Sequence, residues 1–204
     1  MKRHHPIIIS MAVALCAVSA TSVPAQVEGR DNGFYLGLRV ASSDLHIDEN
    51  ANDTFRIDSE GSGLMLLAGY SFNRVFSLEL DFGGSAHNTS DFDIDAIFGT
   101  LQLFAHYRFR PGHAFRPFVK GGLGAYGFGV EDKSNKVTIG GGGIPLGGGF
   151  DYFFNRRFSL GLDLTHNIIE YDRVDINLGS SSVSFDIDED GAQSALGIAF
   201  QFYF

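Results

Sequence analysis

The last nine residues, Leu196 to Phe204, are apolar at every second position and end on an aromatic ring. In an extended strand, Leu196, Ile198, Phe200, Phe202 and Phe204 share one face. Ala195, Gly197, Ala199, Gln201 and Tyr203 share the other. Such bulk on one side, opposite small and polar residues, fits a strand that meets hydrocarbon outside and a filled lumen inside.

The same alternation recurs upstream. Phe34, Leu36, Leu38 and Val40 alternate with Tyr35, Gly37, Arg39 and Ala41. Phe76, Leu78, Leu80 and Phe82 alternate with Ser77, Glu79, Asp81 and Gly83, and Phe158, Leu160, Leu162 and Leu164 with Ser159, Gly161, Asp163 and Thr165. A longer strand runs from Ile97 to Phe109. Residues 63–72 are apolar on both faces, while 116–128 and 144–154 are glycine-rich. Glycine weakens a strand but suits a narrow lumen, where large side chains from facing strands need room. With residues 195–204 these segments make eight strands, each of roughly 9–11 residues, about the length of a tilted crossing of the apolar band. The pattern predicts an all-β fold, an eight-stranded antiparallel up-and-down transmembrane β-barrel.

Connection lengths alternate. Asn73-Arg74, Arg110 to Ala114 and Asn155 to Arg157 are short, whereas 42–62, 84–95, 130–143 and 167–193 read as long loops. Of the 24 acidic residues, 18 fall in the long loops, beside only Arg56, Lys133, Lys136 and Arg173 as bases. The short turns carry Arg74, Arg110, Arg156 and Arg157 and no acid. This predicts periplasmic termini and short turns, with long acidic loops outside the cell. In the first loop Leu45 and Ile47, then Phe55 and Ile57, flank the turn-like Asn50 to Asp53. In the fourth, Val183, Phe185 and Ile187 run in the opposite parity to Leu196 onward, so a bulge near Gly191 is expected. Both loops read either as hairpins above the bilayer or as flexible acidic surface.

The amino terminus reads as a signal peptide over residues 1–25, with the barrel domain at 26–204. Lys2 and Arg3 precede a short apolar run, and small-residue cleavage sites end at Ala20 and Ala25, the latter preferred. The run is too short to span a membrane. Cys16, the single cysteine, lies inside it, so disulfides play no part in the mature chain. Removing Lys2 and Arg3 leaves 13 basic residues against 24 acidic, a net charge of −11, which argues against a nucleic-acid partner.

The stretches RPFVKGGLGAYGF (116–128), GGGFDYFFNRRFSLGLDLTH (147–166) and ALGIAFQFYF (195–204) resemble the small eight-stranded outer-membrane barrels, of the OmpA transmembrane-domain, OmpX and outer membrane protein β-barrel domain type. The resemblance covers essentially the whole mature chain. It implies the outer membrane as location, and lipid and lipopolysaccharide as surroundings. It also implies Phe200, Phe202 and Phe204 as the signal by which barrel-assembly machinery recognises the last strand. With no tryptophan in the chain, an aromatic girdle must come from residues such as Tyr70, Phe72, Phe76, Tyr107, Phe109, Tyr152, Phe154, Phe158 and Phe202.

Strand parity sends Arg39, Glu79, Asp81, His106, Arg108, Lys120, Asp151 and Asp163 into the lumen. Arg39, Glu79, Lys120 and Asp163 lie at similar depth and are expected to meet, because an unpaired buried charge costs several kcal/mol. Such a cluster is either a gate that switches partners or a static plug, and the narrow lumen of eight strands favours the plug. Asp186, Asp188, Asp190 and Gly191 match the first half of a calcium loop, but position twelve is Gly197, so the EF-hand reading fails. The acidic loops, including Asp91, Asp93 and Asp95, read first as a solvated acidic surface; the alternative is looser divalent-cation binding that bridges them to lipopolysaccharide. No cofactor is indicated. The lipid A deacylases of this architecture use a His-x-Ser pair on the outer wall. His166 is followed by Asn167 and Ile168, and His87, with Thr89 and Ser90 after it, falls in a loop, so no enzyme is expected. The functional expectation is a structural or surface-interaction barrel. A narrow porin or OmpW-like route for ions or small apolar solutes is the alternative. A soluble lipocalin-like carrier is disfavoured, since the bulky face would then meet water.

Overall fold

The computed structural model describes residues 32–47, 57–89, 96–132, 135–178 and 181–204. The signal segment, Phe55 and Asp91, Asp93 and Asp95 lie outside them. Eight strands follow one another: β1 (Gly33–Ile47), β2 (Ile57–Ser71), β3 (Phe76–Thr89), β4 (Ala96–Arg108), β5 (Phe115–Asp132), β6 (Asn135–Phe153), β7 (Phe158–Leu178) and β8 (Ser181–Tyr203). Each pairs antiparallel with its neighbours, and β1 pairs β8 from Tyr35↔Tyr203 to Ile47↔Gly191, which closes the barrel. The eight-stranded up-and-down barrel predicted from the alternation is the fold observed.

Closure places the two faces as the pattern requires. Leu36, Leu38, Val40, Leu78, Leu80, Leu160, Leu164, Leu196, Ile198 and Phe200 point outward and are exposed. The intervening residues point inward and are buried, including Arg39, Glu79, Asp81, Asp163 and Gln201. At the short-turn end the outward rings pack edge to face: Tyr70 on Phe72, Tyr107 on Phe109, Tyr152 on Phe154 and Phe202 on Phe204, with centroids 5.0–5.2 Å apart.

Two of the short turns share one device. In Asn73-Arg74-Val75-Phe76 the Asn73 Oδ1 accepts from the backbone N–H of Val75 and Phe76, both at 2.8 Å. In Asn155-Arg156-Arg157-Phe158 the Asn155 Oδ1 accepts from Arg157 and Phe158 at 2.8 and 3.0 Å. The amide side chain replaces a strand partner and reverses the chain.

The long connections differ from expectation. The described residues of 42–62, 84–95, 130–143 and 167–193 are strand: β5 and β6 pair up to Asp132↔Asn135 and β7 and β8 up to Leu178↔Ser181. The ladder continues above the apolar band, where the outward face no longer needs bulk, so the sequence loses its alternation while the backbone keeps its pairing. The bulge or break expected near Gly191 is a bulge at Ile187 and Asp188. The register shifts there between Tyr171↔Glu189 and Arg173↔Asp186, and Gly191 stays in the ladder opposite Ile169.

Glycines on the inner face make room for particular side chains. A Cβ at Gly197 would stand 2.8 Å from Arg39 Cδ and 2.9 Å from Cγ. One at Gly147 would stand 3.0 Å from Lys120 Cε. Gly69 lies under the Tyr35 ring. Gly197→Val should therefore push Arg39 aside and destabilise the barrel by about 1–3 kcal/mol, the usual cost of overpacking. Urea unfolding in lipid vesicles would measure it, and an unchanged midpoint would refute the assignment.

Candidate functional site

The lumen is filled in layers. Nearest the short turns, Tyr35 stacks on Tyr203 at 4.9 Å and Phe153 lies 5.3 Å from Tyr203. Beside them Arg108 Nε meets Asp151 Oδ2 at 3.0 Å, and its Nη1 donates to Ser77 Oγ at 2.7 Å.

The charged layer comes next. Arg39 on β1 reaches across the lumen to β3 and β7: Nη1 to Asp81 Oδ2 at 2.5 Å, Nη2 to Glu79 Oε1 at 3.3 Å and to Asp163 Oδ2 at 2.9 Å. Lys120 on β5 reaches the same Asp163 oxygen at 2.5 Å, its ammonium 4.3 Å from the centre of the Phe104 ring. His106 Nε2 on β4 approaches Glu79 Oε1 at 3.2 Å. Arg39, Glu79, Asp81, His106, Lys120 and Asp163 thus form one connected set drawn from five strands, all of them at most 4 % exposed. Register explains the reach. Asp163 sits directly opposite Gly197 on β8, and the missing side chain there opens the space that Arg39 crosses. With Arg39 and Lys120 cationic and three carboxylates anionic, the set carries one excess negative charge when His106 is neutral.

Above lies an uncharged polar layer. Gln102 Nε2 donates to Asn167 Oδ1 at 2.8 Å, and Asn167 Nδ2 donates to Gln193 Oε1 at 2.8 Å. Tyr126 Oη donates to Asn167 Oδ1 at 3.2 Å. His87 stands on β3 rather than in a loop and faces inward, with Nε2 2.9 Å from Ser85 Oγ and 3.4 Å from Ser43 Oγ. An apolar cap of Leu45, Phe98, Tyr126, Phe128, Ile169 and Tyr171 follows, with Ile139 and Ile187 packed against it.

A family model described as "Outer membrane protein beta-barrel domain" matches residues 13–204. The chain belongs to that family. A 22 kDa outer membrane protein of Rhizobium leguminosarum bv. viciae is 24% identical over 187 residues, covering 89% of this chain and 83% of that protein. Neisserial surface protein A shares the fold with a TM-score of 0.64 at 14% identity, over 86% of this chain and 100% of that one. OprG from Pseudomonas aeruginosa does so with 0.53 at 19% identity, over 87% and 100%. The outward face of the barrel therefore lies in the lipid of the outer membrane.

Other candidate residues stand apart from this lumen. Asp186, Asp188 and Asp190 are exposed on β8, an extended strand rather than the compact loop that a calcium site requires. Among the described residues no group of three or more His, Cys, Asp or Glu could hold a metal. Phe200 and Phe204 point outward, and Phe202 is half-buried with its ring 5.0 Å from that of Phe158. On the outer wall His166 Nδ1 and Ser194 Oγ lie 3.0 Å apart across β7 and β8, a pair no local motif could reveal because 28 positions separate them. On its other side His166 is in register with Leu146, so that neighbour supplies no carboxylate to orient the imidazole as base.

Arg39→Met would leave Glu79, Asp81 and Asp163 with only Lys120, on Asp163, and His106, on Glu79, as partners. It should destabilise the barrel by about 3–5 kcal/mol, as loss of one member of a buried ion pair does. Adding Asp81→Asn should recover part of that loss in a double-mutant cycle, and strict additivity would show that the two do not interact.

Proposed function

We propose that this chain is a non-catalytic outer-membrane barrel with a structural and surface-directed role. Its short turns and termini face the periplasm, its long hairpins face the cell exterior, and its lumen is a static polar plug. The observation that supports this reading is the continuous stack inside the barrel, from Tyr35 and Tyr203 through the ion pairs and the amide layer to the cap at Phe98 and Tyr171. A gate would need free volume for its charges to change partners, whereas Arg39 holds three carboxylates at once. The exposed hairpin of β7 and β8 carries Glu170, Asp172, Asp186, Asp188, Glu189 and Asp190, with Glu170 directly opposite Asp190. Divalent cations would relieve that repulsion and bridge the hairpin to lipopolysaccharide phosphates. Phe200, Phe202 and Phe204 serve recognition by the assembly machinery.

Purified protein in a planar bilayer should give no reproducible ohmic step, and a regular step would sink the plug. The chain expected after signal cleavage lacks cysteine, which makes orientation testable. An Asp188→Cys variant should react with a membrane-impermeant maleimide on intact cells, and Arg157→Cys only after the outer membrane is permeabilised. The reverse pattern would invert the topology.

One observation favours a second reading, a lateral route for small apolar solutes. Between β5 and β6 the ladder pairs Gly121 with Leu146 and Gly124 with Gly143, but omits the two rungs between them, where Gly122 and Leu123 face Pro145 and Ile144. Proline brings no N–H to a ladder, and the wall there is thin, being glycine-rich on both strands. Pro145→Val should restore the rungs and slow uptake of a small apolar dye into proteoliposomes. Equal uptake by both forms would leave the plug alone standing.

A further inference from the structure

The short-turn end of the lumen opens at a shallow mouth, with about 10 Å³ of free space between its side chains, lined by Ser71, Asn73, Arg74, Arg108, Arg116, Phe153, Arg156 and Tyr203. Four of these eight residues are arginines, and the nearest described carboxylate, Asp151, lies behind the lining, bound to Arg108 and directly opposite Arg116 in the ladder. They come from four places in the fold: the first short turn, β4, β5 and the third short turn. Arg74 and Arg156 occupy the same position in the two Asn-Arg-x-Phe turns, so one turn geometry repeated on two sides of the barrel delivers both. Arg74 also reaches toward the middle short turn, where a Cβ on Gly112 would lie 3.9 Å from its Nη1. Arg116 is held in a fixed plane. Its guanidinium lies 4.0 Å from the centre of the Phe153 ring, and its Nε donates to the His113 carbonyl at 2.8 Å. Arg108, deeper, is bound to Asp151 and Ser77.

We propose that this mouth is a phosphate-binding site. Planar guanidiniums converging from several directions suit a compact, multiply charged oxyanion, which accepts paired N–H donors from each. Ser71, Asn73 and Tyr203 add neutral polar groups to the same lining. Arg74, Arg116 and Arg156 take part in interactions within the protein as well, so the anion joins an existing network and competes with it. The aromatic girdle of Tyr70, Phe72, Tyr107, Phe109, Tyr152 and Phe154 surrounds this end of the barrel. Such rings sit at headgroup depth, which puts the mouth level with lipid phosphates as well as open to free phosphate. The inference concerns a face of the barrel that the plug and the surface role leave unused, and it holds for either orientation of the barrel.

The test uses the full mature chain. In uncharged detergent, inorganic phosphate is titrated at constant ionic strength against chloride, with binding read from amide and arginine Nε shifts in nitrogen–proton spectra. In nanodiscs, phosphatidylglycerol is compared with phosphatidylcholine by the same shifts. Saturable shifts at Arg116 and the two Asn-Arg-x-Phe turns are expected in at least one arm. Phosphate alone identifies a soluble anion, and phosphatidylglycerol alone identifies a headgroup. Arg156→Gln, in a turn outside the strands, should weaken binding about ten-fold without loss of fold, and Arg116→Gln by at least as much. Shifts reproduced by chloride, absent from both arms, or unchanged in Arg156→Gln would overturn the proposal.

Discussion

Hydrocarbon offers no partner to a backbone N–H or C=O. Every strand that crosses it must therefore find both neighbours within the chain. The β1–β8 seam meets that demand, because without it two edges of unpaired groups would face lipid. Eight strands also fix the bore. A barrel of this size has an interior about as wide as the side chains that fill it, so each inward residue must fit against residues from strands two or three places away. The glycines follow from the same limit: Gly197 makes room for Arg39 and Gly69 for Tyr35, and a Cβ at Gly147 would meet both the Leu164 carbonyl and Lys120.

The bore dictates the electrostatics in turn. Charges inside cannot keep their water, and an isolated one would cost several kcal/mol. The solution is a shared arrangement rather than separate pairs. Asp163 takes both Arg39 and Lys120 on one oxygen, and Arg39 divides its two terminal nitrogens among three carboxylates. Such sharing fixes the rotation of each strand about its axis. A slip of one residue would turn Arg39 or Glu79 into lipid and bring Leu38 or Leu80 inside. The buried charges thus specify register as much as they stabilise it.

Where hydrocarbon touches the chain, the sequence is legible. Phe76 to Phe82 and Phe158 to Leu164 could be read as strands, and their inward faces as lumen, because lipid demands a side chain of one kind at every second place. Depth counted from the short turns was enough to group Arg39 with Glu79, Lys120 and Asp163. Above the apolar band that demand ends. Asn135 to Gly143, Glu170 to Leu178 and Ser181 to Gln193 pair as strands through backbone hydrogen bonds, which carry no sequence signature, so they read as loops. The amide layer of Gln102, Asn167 and Gln193 escaped for a related reason: two of its members lie in those extensions, and neutral polar residues raise no alarm when buried. Arg116 shares the parity of Lys120 and could have been placed in the lumen by the same rule. The bond between His166 and Ser194 depends on cross-strand register, which one strand alone does not disclose.

The two ends of the barrel are chemically opposite. At one end the chain places arginines on tight Asn-based turns, against a ring of aromatic side chains. At the other it extends paired strands that carry mostly acids. A tight turn holds its side chains within one turn's reach of the lumen axis, so few residues suffice to concentrate positive charge there. A tall ladder spreads its acids along an exposed surface, where each remains hydrated and screened. The first arrangement is built to hold one small anion against several donors. The second is built to present charge over an area. Fold and charge together thus divide the molecule into a site at one mouth and a surface at the other, with a packed lumen separating the two.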